Sequence, residues 1–231
     1  RQAIVSGGGR SKLIMCSRLA HTFNNSICVE NLLASWQEFT VGKRSKEDVQ
    51  IFAFRLMDNI FQLHYELRTK TYRHGGYQSF YIFDPKPRHI HKSSVRDRLV
   101  HHAVYQVLYR FYDKIFISDS YSCRENKGTH KALKRFTRFS RSASKNNTKT
   151  CWVLKCDIKK FFDNINHEIL LNILKQQIAD QDIIWLIQNI LDSFHKIEPG
   201  VGLPLGNITS HLFVNIYMNE FDQFVKHQLK E

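Results

Sequence analysis

The chain has 231 residues, of which 42% are apolar and 13% aromatic, so it is a folded protein with a real core rather than a disordered one. Its 34 basic and 21 acidic side chains give a formal net charge of +13, which favours an anionic partner such as nucleic acid. The alternatives are an anionic membrane surface and a basic surface without a partner. No apolar run is long enough to span a bilayer.

The five cysteines are irregularly spaced and include no Cys-x-x-Cys pair. This pattern predicts reduced thiols in a cytoplasmic protein, not a disulfide framework or a zinc ribbon. His89-x-His91 and His101-His102 lack the further ligands that a zinc site needs. The first residues show no secretory signal. The chain begins at Arg1 and stops within a helical pattern, so we expect it to be a piece of a longer protein.

The first half of the chain predicts a loose extension, two helices, a hairpin and a third helix. In chain order these segments cover residues 1–22, 29–39, 45–67, 80–92 and 94–115. The apolar residues from Val49 to Leu67 recur at the spacing of one amphipathic helix. Asp84-Pro85 supplies the hairpin turn, and Ser94 supplies the cap of the third helix.

The second half predicts a short helix after Gly128, a flexible polar loop, a strand and three more helices. These segments cover residues 128–136, 140–150, 152–157, 167–178, 182–194 and 207–225. Asp182 is expected to cap the second of the last three helices, and Asn207 or Thr209 to cap the final one. Helices predominate without a repeating strand–helix–strand pattern, so the predicted fold class is α+β.

Trp152, Leu154 and Cys156 alternate with Val153, Lys155 and Asp157, which predicts a strand with the first three side chains toward a core. Asp157 then lies at the strand end on the other face, followed by Lys159 and Lys160. A carboxylate on a rigid strand end, with cations beside it, suits a divalent metal and a phosphate substrate. The competing interpretation is an ordinary Asp at a turn or helix cap.

The second informative stretch is Gly200-Val201-Gly202-Leu203-Pro204-Leu205-Gly206, which opens directly into a helix. Glycine has no side chain, so such a loop can bring its backbone close to a ligand. A tight turn before a helix is the alternative.

Both stretches resemble motifs of reverse transcriptases. Asp157-Ile158-Lys159-Lys160-Phe161-Phe162-Asp163-Asn164-Ile165 is similar to the family's first catalytic motif, and the run from Gly202 to Asp222 to its next one. Segments 87–99 and 122–133 resemble two earlier fingers motifs in the same order. The resemblance implies a right-hand polymerase, with a flexible extension (1–22), fingers (23–150) and part of the palm (151–231), and without a thumb.

The motif sequences are most similar to those of diversity-generating retroelement enzymes, and next to those of group II intron enzymes. Leu205 stands where the group II intron enzymes have Gln, and the loss of that hydrogen-bond donor is interpreted as loosening base selection. His211 departs from the Ser-Gln that is usual in diversity-generating enzymes.

The resemblance implies Mg²⁺-dependent transfer of dNTPs onto a DNA primer, templated by RNA, with two ions (Mn²⁺ is an alternative). Asp157 and the Ile158 carbonyl would hold metal, and Phe162 would lie under the sugar and exclude ribonucleotides. The implied substrate-binding residues are Arg88, Arg96, Lys160, Phe161, Phe162, Leu205 and Gly206. The implied nucleic-acid-binding residues are Arg98, Arg124, Lys159, Asn207 and Ser210. An ion pair between Arg98 and Asp97 is the alternative for Arg98.

The family's later aromatic-x-Asp-Asp motif does not occur in these residues, so we expect this piece alone to be inactive. The expected partners are template RNA, DNA primer, dNTPs and an accessory protein of the retroelement. An alternative function is RNA binding that assists intron splicing, with or without polymerisation. A membrane partner is not expected, because no predicted helix combines a basic face with an exposed apolar face.

Overall fold

The computed structural model describes residues 18–20, 22–83, 85–196 and 198–229. Its elements follow the chain as nine helices and one hairpin within these residues. They are α1 (Phe23–Ile27), α2 (Val29–Thr40), α3 (Glu47–Phe54), α4 (Leu56–Arg68), β1 (Tyr77–Phe83), β2 (Pro87–Ser93), α5 (Val95–Tyr112), α6 (Thr129–Ala143), α7 (His167–Gln177), α8 (Gln181–Asp192) and α9 (Ile208–Phe224). A 3-10 turn (Phe162–Asn164) precedes α7, and a π-helical turn (Val225–Leu229) follows α9.

Helix α5 lies at the centre of the fold, between α2 on one side and α9 on the other. Its apolar stripe is buried, as the periodicity predicts, through Leu99, Val104 and Leu108. The Ser94 hydroxyl accepts a hydrogen bond from the Asp97 N–H at 3.1 Å and caps the helix. Helices α7 and α8 pack together, and α7 also packs on α9. One continuous apolar core therefore joins both halves of the chain, and the predicted α+β class is confirmed.

The strands β1 and β2 form the predicted antiparallel hairpin, with Phe80 opposite Ile90 and Tyr81 opposite His89. Because successive side chains point to opposite faces, the hairpin has two distinct surfaces. One carries Phe80, Ile82, Arg88, Ile90 and Lys92. The other carries Tyr77, Tyr81, Phe83, His89 and His91.

Two helix predictions need correction. The single helix predicted over residues 45–67 is broken at Arg55, whose φ and ψ of −121° and 43° are not helical. The Asn59 side chain bonds the Phe52 carbonyl at 2.9 Å across this break. Helix α8 is capped by Asp180, not Asp182: its carboxylate accepts from the Asp182 and Ile183 N–H groups at 3.1 and 3.3 Å.

The Asp180 carboxylate also holds the start of the described chain. Its other oxygen accepts from the Thr22 and Phe23 N–H groups at 2.7 and 2.9 Å. Burial alone would raise the pKa of Asp180, but these backbone donors outweigh burial and lower it. Leu19 pairs with Ile178, so the predicted loose extension is wrong for residues 18–20 and 22. Its remaining residues lie outside the described part.

The polar segment 140–150 is also more ordered than predicted, since α6 continues to Ala143 and the next residue, Ser144, is buried. Along α6, Leu133, Phe136 and Phe139 form an exposed apolar face opposite a face of lysines and arginines. The expectation that no helix combines these two faces is therefore wrong. No helix in the described ranges has the length and apolar character to cross a bilayer.

Candidate functional site

Residues 151–158, which were predicted to include a strand, form no regular element and pair with no strand in the described residues. Trp152 and Leu154 are 91% and 89% exposed instead of facing a core. A strand needs a neighbour for its backbone N–H and C=O groups, and alternation in the sequence cannot supply that neighbour. The Asp157 carboxylate and the Ile158 side chain are consequently exposed.

The chain turns sharply directly after Asp157. Lys160 has a left-handed φ of 51°, and its carbonyl accepts from the Asp163 N–H at 3.0 Å and from the Asn164 side chain at 2.9 Å. Lys159 and Lys160 remain exposed, while Phe161 and Phe162 are half-buried. The turn therefore directs two aromatic rings inward and leaves Asp157 and two lysines in solvent.

The rings of Phe161 and Phe162 both pack against helix α9. Phe161 lies edge-on to Tyr217 with centroids 6.3 Å apart, and Phe162 edge-on to His211 at 5.6 Å. Burial lowers the pKa of His211, which favours a neutral imidazole beside Phe162.

The glycine-rich loop joins the Asp157 segment to the hairpin. At one end, the Gly202 N–H bonds the Ile165 carbonyl at 2.9 Å and the Leu203 N–H bonds the Phe162 carbonyl at 2.8 Å. At the other end, the Leu205 carbonyl accepts from the His91 N–H of β2 at 2.8 Å. The fold thus brings the two motifs into direct contact.

Gly206 makes the closest approach of the loop to the hairpin. Its φ is 116°, and an added Cβ would lie 2.9 Å from the Ile90 Cγ2. The sequence interpretation assigned the missing side chain to ligand access. The structure shows that the space is already filled by β2, so glycine is required here by the protein's own packing.

Two buried hydrogen bonds fix the start of α9 against the first half of the chain. The Ser93 hydroxyl donates to Asn207 Oδ1 at 3.0 Å. His101 Nδ1 and the Thr209 hydroxyl are 2.6 Å apart. Burial, then the neighbouring His74 and His102, lower the pKa of His101 far enough to keep it neutral. Asn207 caps no N–H of α9, so its predicted capping role is replaced by this contact.

A cavity of about 400 Å³ opens where the hairpin, α5 and the Gly206 loop meet. Phe39, Phe80 and Ile90 are among its apolar walls, and Lys43, Lys92 and Arg98 are its cations. Asp48 offsets part of this charge through ion pairs with Lys92 and Arg98, and the Glu38 carboxylate acts on the neighbouring His102. Burial opposes the charged form of Asp48, but the two partners outweigh burial and lower its pKa. The three lining cations outnumber the two nearby carboxylates, Asp48 and Glu38, so the cavity is positive.

Two buried polar atoms at this cavity have no hydrogen-bond partner among the described residues. They are Asn207 Nδ2 and His102 Nδ1, and Asn207 is 3% exposed. Burial, then Lys43, lower the pKa of His102 to about 4. Because a buried donor without a partner is costly, a ligand group that accepts from Asn207 would be stabilised here.

The arginines predicted to bind substrate or nucleic acid have different surroundings. Arg88 is exposed on β2. Arg96 pairs with Glu66 and Asp97 and lies over the Tyr72 ring at 4.6 Å. Arg98 pairs with Asp48, so the alternative pair with Asp97 is wrong.

Arg124 and Ser210 are not available to a nucleic acid. The Arg124 side chain is 5% exposed, and its nitrogens donate to Asp113 and to the Ile117 and Ser120 carbonyls. Ser210 is 2% exposed. Both are structural residues.

Sequence reasoning missed the cavity residues Phe39, Lys43, Lys92 and His102. Lys92 could have been found, because it alternates with Arg88 and Ile90 on one face of β2. Lys43 follows the break after α2 and reaches the cavity only through tertiary packing, for which the sequence carries no local signal. The described cysteines Cys28, Cys123, Cys151 and Cys156 are free thiols, as predicted.

Residues 83–230, more than half of the chain, match the family described as reverse transcriptase (RNA-dependent DNA polymerase). An uncharacterized 91 kDa protein in a cob intron of Schizosaccharomyces pombe is 34% identical over 145 residues, covering 60% of this chain and 17% of that protein. The group II intron-encoded protein LtrA of Lactococcus lactis is 33% identical over 136 residues, covering 56% and 21%. The chain therefore spans less than a quarter of either relative.

A solved structure titled as a partial Cas6-RT-Cas1–Cas2 complex has a chain with a TM-score of 0.57 and 21% identity. The superposition covers 88% of this chain and 35% of that one. This likeness supports the fold.

Proposed function

We propose, from the premise that this chain belongs to the reverse transcriptase (RNA-dependent DNA polymerase) family, that it carries the nucleotide-selecting part of an RNA-directed DNA polymerase. Residues 23–150 would form the fingers and residues 151–231 part of the palm. The observation that carries the proposal is the contact between the two motifs: the Gly202–Gly206 loop is bonded to Phe162 at one end and to β2 at the other.

Asp157 fits one part of a metal site. Mg²⁺ in polymerases is bound through one or two carboxylates, substrate phosphates and water, and the exposed Asp157 carboxylate and the Ile158 carbonyl would contribute two oxygens. Bound Mg²⁺ would neutralise charge that develops on the phosphates. No group of three or more His, Cys, Asp or Glu side chains in the described residues could hold a metal ion. We expect these 231 residues by themselves not to extend a primer, because the family's aromatic-x-Asp-Asp motif does not occur in them.

The triphosphate would bind between the turn and the hairpin. Lys160 and Phe161 lie in the turn after Asp157, where backbone N–H groups can donate to phosphate oxygens without side-chain bulk. Arg88, which was predicted to bind substrate, is exposed on β2. Its planar guanidinium can donate two hydrogen bonds to phosphate oxygens. Arg96 would serve only after giving up its pair with Glu66.

The cavity at Gly206 would take the template strand. Its cations suit a phosphate, its apolar walls suit a base, and Asn207 Nδ2 offers a donor. Leu205 and Gly206 would then lie between the template base and the incoming nucleotide. The aliphatic Leu205 is the feature that favours a diversity-generating type over a group II intron type.

RNA-templated primer extension tests the proposal, with the natural protein that carries this chain. Asp157→Asn should slow extension by about a hundredfold or more, because the neutral amide is a poor metal ligand. The matched control is Asp163→Asn, which removes a nearby, half-buried carboxylate and should extend at the wild-type rate. Equal rates for wild type and Asp157→Asn would refute the assignment.

A role in intron splicing is the second candidate, because the matched relatives are described as intron proteins. Binding of template RNA should survive Asp157→Asn. A protein that binds RNA equally well in both forms and extends no primer in either would support the splicing role and refute the polymerase.

A further inference from the structure

A continuous series of aromatic rings begins on the hairpin face that points away from the Gly206 cavity and ends at His101, which also lines that cavity. Eight rings follow one another with centroids between 4.3 and 6.2 Å apart. In order from the hairpin tip they are Phe83, Tyr81, His89, His91, Phe194, Tyr77, His74 and His101. We name this series the aromatic ladder.

The inner end of the ladder is anchored in the protein. Phe194 is 7% exposed, the Tyr77 hydroxyl is 2.8 Å from the Ser193 hydroxyl, and His74 Nε2 is 3.1 Å from His101 Nε2. The rings from Tyr81 to His91 continue this series, each in contact with its neighbour. When a ligand stacks on rings that already contact neighbouring rings, the protein loses less side-chain conformational entropy than it would with isolated rings.

The outer end of the ladder is open. Tyr81 and Phe83 are 60% and 76% exposed, and their rings lie 28° from parallel. Tyr81 stacks in turn on His89 with centroids 4.5 Å apart and planes 10° apart. An exposed pair of nearly parallel rings on a paired hairpin offers flat surfaces to a further planar group.

The charge around the ladder favours an anion. Lys196 Nζ lies 3.4 Å from His89 Nδ1, and Lys86 stands exposed in the hairpin turn. Burial, then His89 and Lys196, lower the pKa of His91 to about 4, while the Asp163 carboxylate acts in the opposite direction. His91 is then neutral at pH 7, so the cations that remain are lysines.

We propose that Tyr81 and Phe83 are a stacking platform for unpaired bases of single-stranded nucleic acid, with Lys86 and Lys196 close to its phosphates. Proteins that bind single strands combine such aromatic platforms with basic grooves. The platform lies on the opposite hairpin face from the cavity, so it is a second contact outside the proposed template site. The proposal rests on the proposed function only in taking nucleic acid as the partner.

The test separates stacking from charge. The natural protein, carrying Asp157→Asn so that no polymerisation occurs, is titrated into a fluorescent oligouridine of about 12 nucleotides and into an abasic oligomer of equal length. The double variant Tyr81→Ala/Phe83→Ala should bind oligouridine about tenfold more weakly. Its affinity for the abasic oligomer and its salt slope should stay unchanged, because no phosphate contact is lost.

Phe54→Ala is the matched control, since Phe54 is 89% exposed on α3, outside the hairpin. It should bind both oligomers as the wild type does. Unchanged oligouridine binding by the double variant, or an equal loss for both oligomers, would overturn the platform. An equal loss in Phe54→Ala would also overturn it, because any exposed ring would then suffice. Base-dependent binding, together with no primer extension by the form that retains Asp157, would leave the platform standing and refute the polymerase.

Discussion

At the scale of single residues, Gly206 is the position where the loop and the hairpin depend most directly on each other. Gly206→Ala would place a methyl group 2.9 Å from Ile90 Cγ2 at a φ of 116°. Strain and overlap together should lower the free energy of unfolding by about 2 kcal/mol or more. Urea unfolding measures this loss. Gly76→Ala, which meets no atom within 4 Å, should cost much less, and equal losses for the two variants would contradict the packing argument.

The arginines show which residue roles the sequence can and cannot reveal. Arg88, Arg96, Arg98 and Arg124 all stand in motif positions, yet their surroundings range from exposed to nearly buried. The carboxylates that engage Arg98 and Arg96, Asp48 and Glu66, come from α3 and α4, about 30 to 50 residues earlier in the chain. Such partners are chosen by tertiary packing, so the sequence predicted the cations but not which of them remain free.

At the scale of secondary-structure elements, contacts at the start of α9 fix the position of the Gly202–Gly206 loop. Thr209→Val keeps the shape of the side chain but removes the 2.6 Å contact with His101. A buried imidazole nitrogen would lose its partner, which should cost about 1–3 kcal/mol of unfolding free energy. Thr137→Val on α6 is the control, because Thr137 bonds only a carbonyl of its own exposed helix. A Thr209→Val variant as stable as this control would show that the start of α9 does not depend on the contact with His101.

The helices and strands also show where the apolar periodicity of the sequence predicts structure correctly and where it does not. Helices α5, α7 and α9 were predicted because most of their apolar residues are buried by neighbours within the chain. The hairpin was predicted from its turn residues and its aromatic run, although Phe80, Tyr81, Ile82 and Phe83 are exposed. Residues 152–157 alternate like a strand, and α6 is amphipathic, yet both leave apolar side chains exposed. Periodicity reports which side a segment would bury, and it carries no information about whether the covering element is present. The break at Arg55 was missed because the apolar spacing continues across it.

At the scale of the whole molecule, buried neutral histidines predict acid sensitivity. The pKa of His91 and of His102 is lowered to about 4 in the folded chain, against 6.5 for an unperturbed histidine. The unfolded chain therefore binds more protons between these values, so stability is full above about pH 6.5 and falls as the pH drops toward 4. The urea midpoint should decrease from pH 7 to pH 5. His102→Gln should reduce this decrease, and an unchanged slope would contradict the burial argument for His102.

The Gly202–Gly206 loop is bonded to the turn after Asp157 at one end and to β2 at the other. Phe162 lies at that junction, with its carbonyl bonded to Leu203 and its ring against His211. We propose that this junction selects the nucleotide, with the Phe162 ring excluding a 2′-hydroxyl.

The ratio of dNTP to rNTP incorporation by the natural protein on an RNA template tests this role of Phe162. Phe162→Val should raise the relative use of rNTPs by about tenfold or more, because the smaller side chain leaves room for the hydroxyl. Phe161→Val, one residue away against Tyr217, should keep the wild-type ratio. An unchanged ratio in Phe162→Val, or an equal change in both variants, would contradict the account.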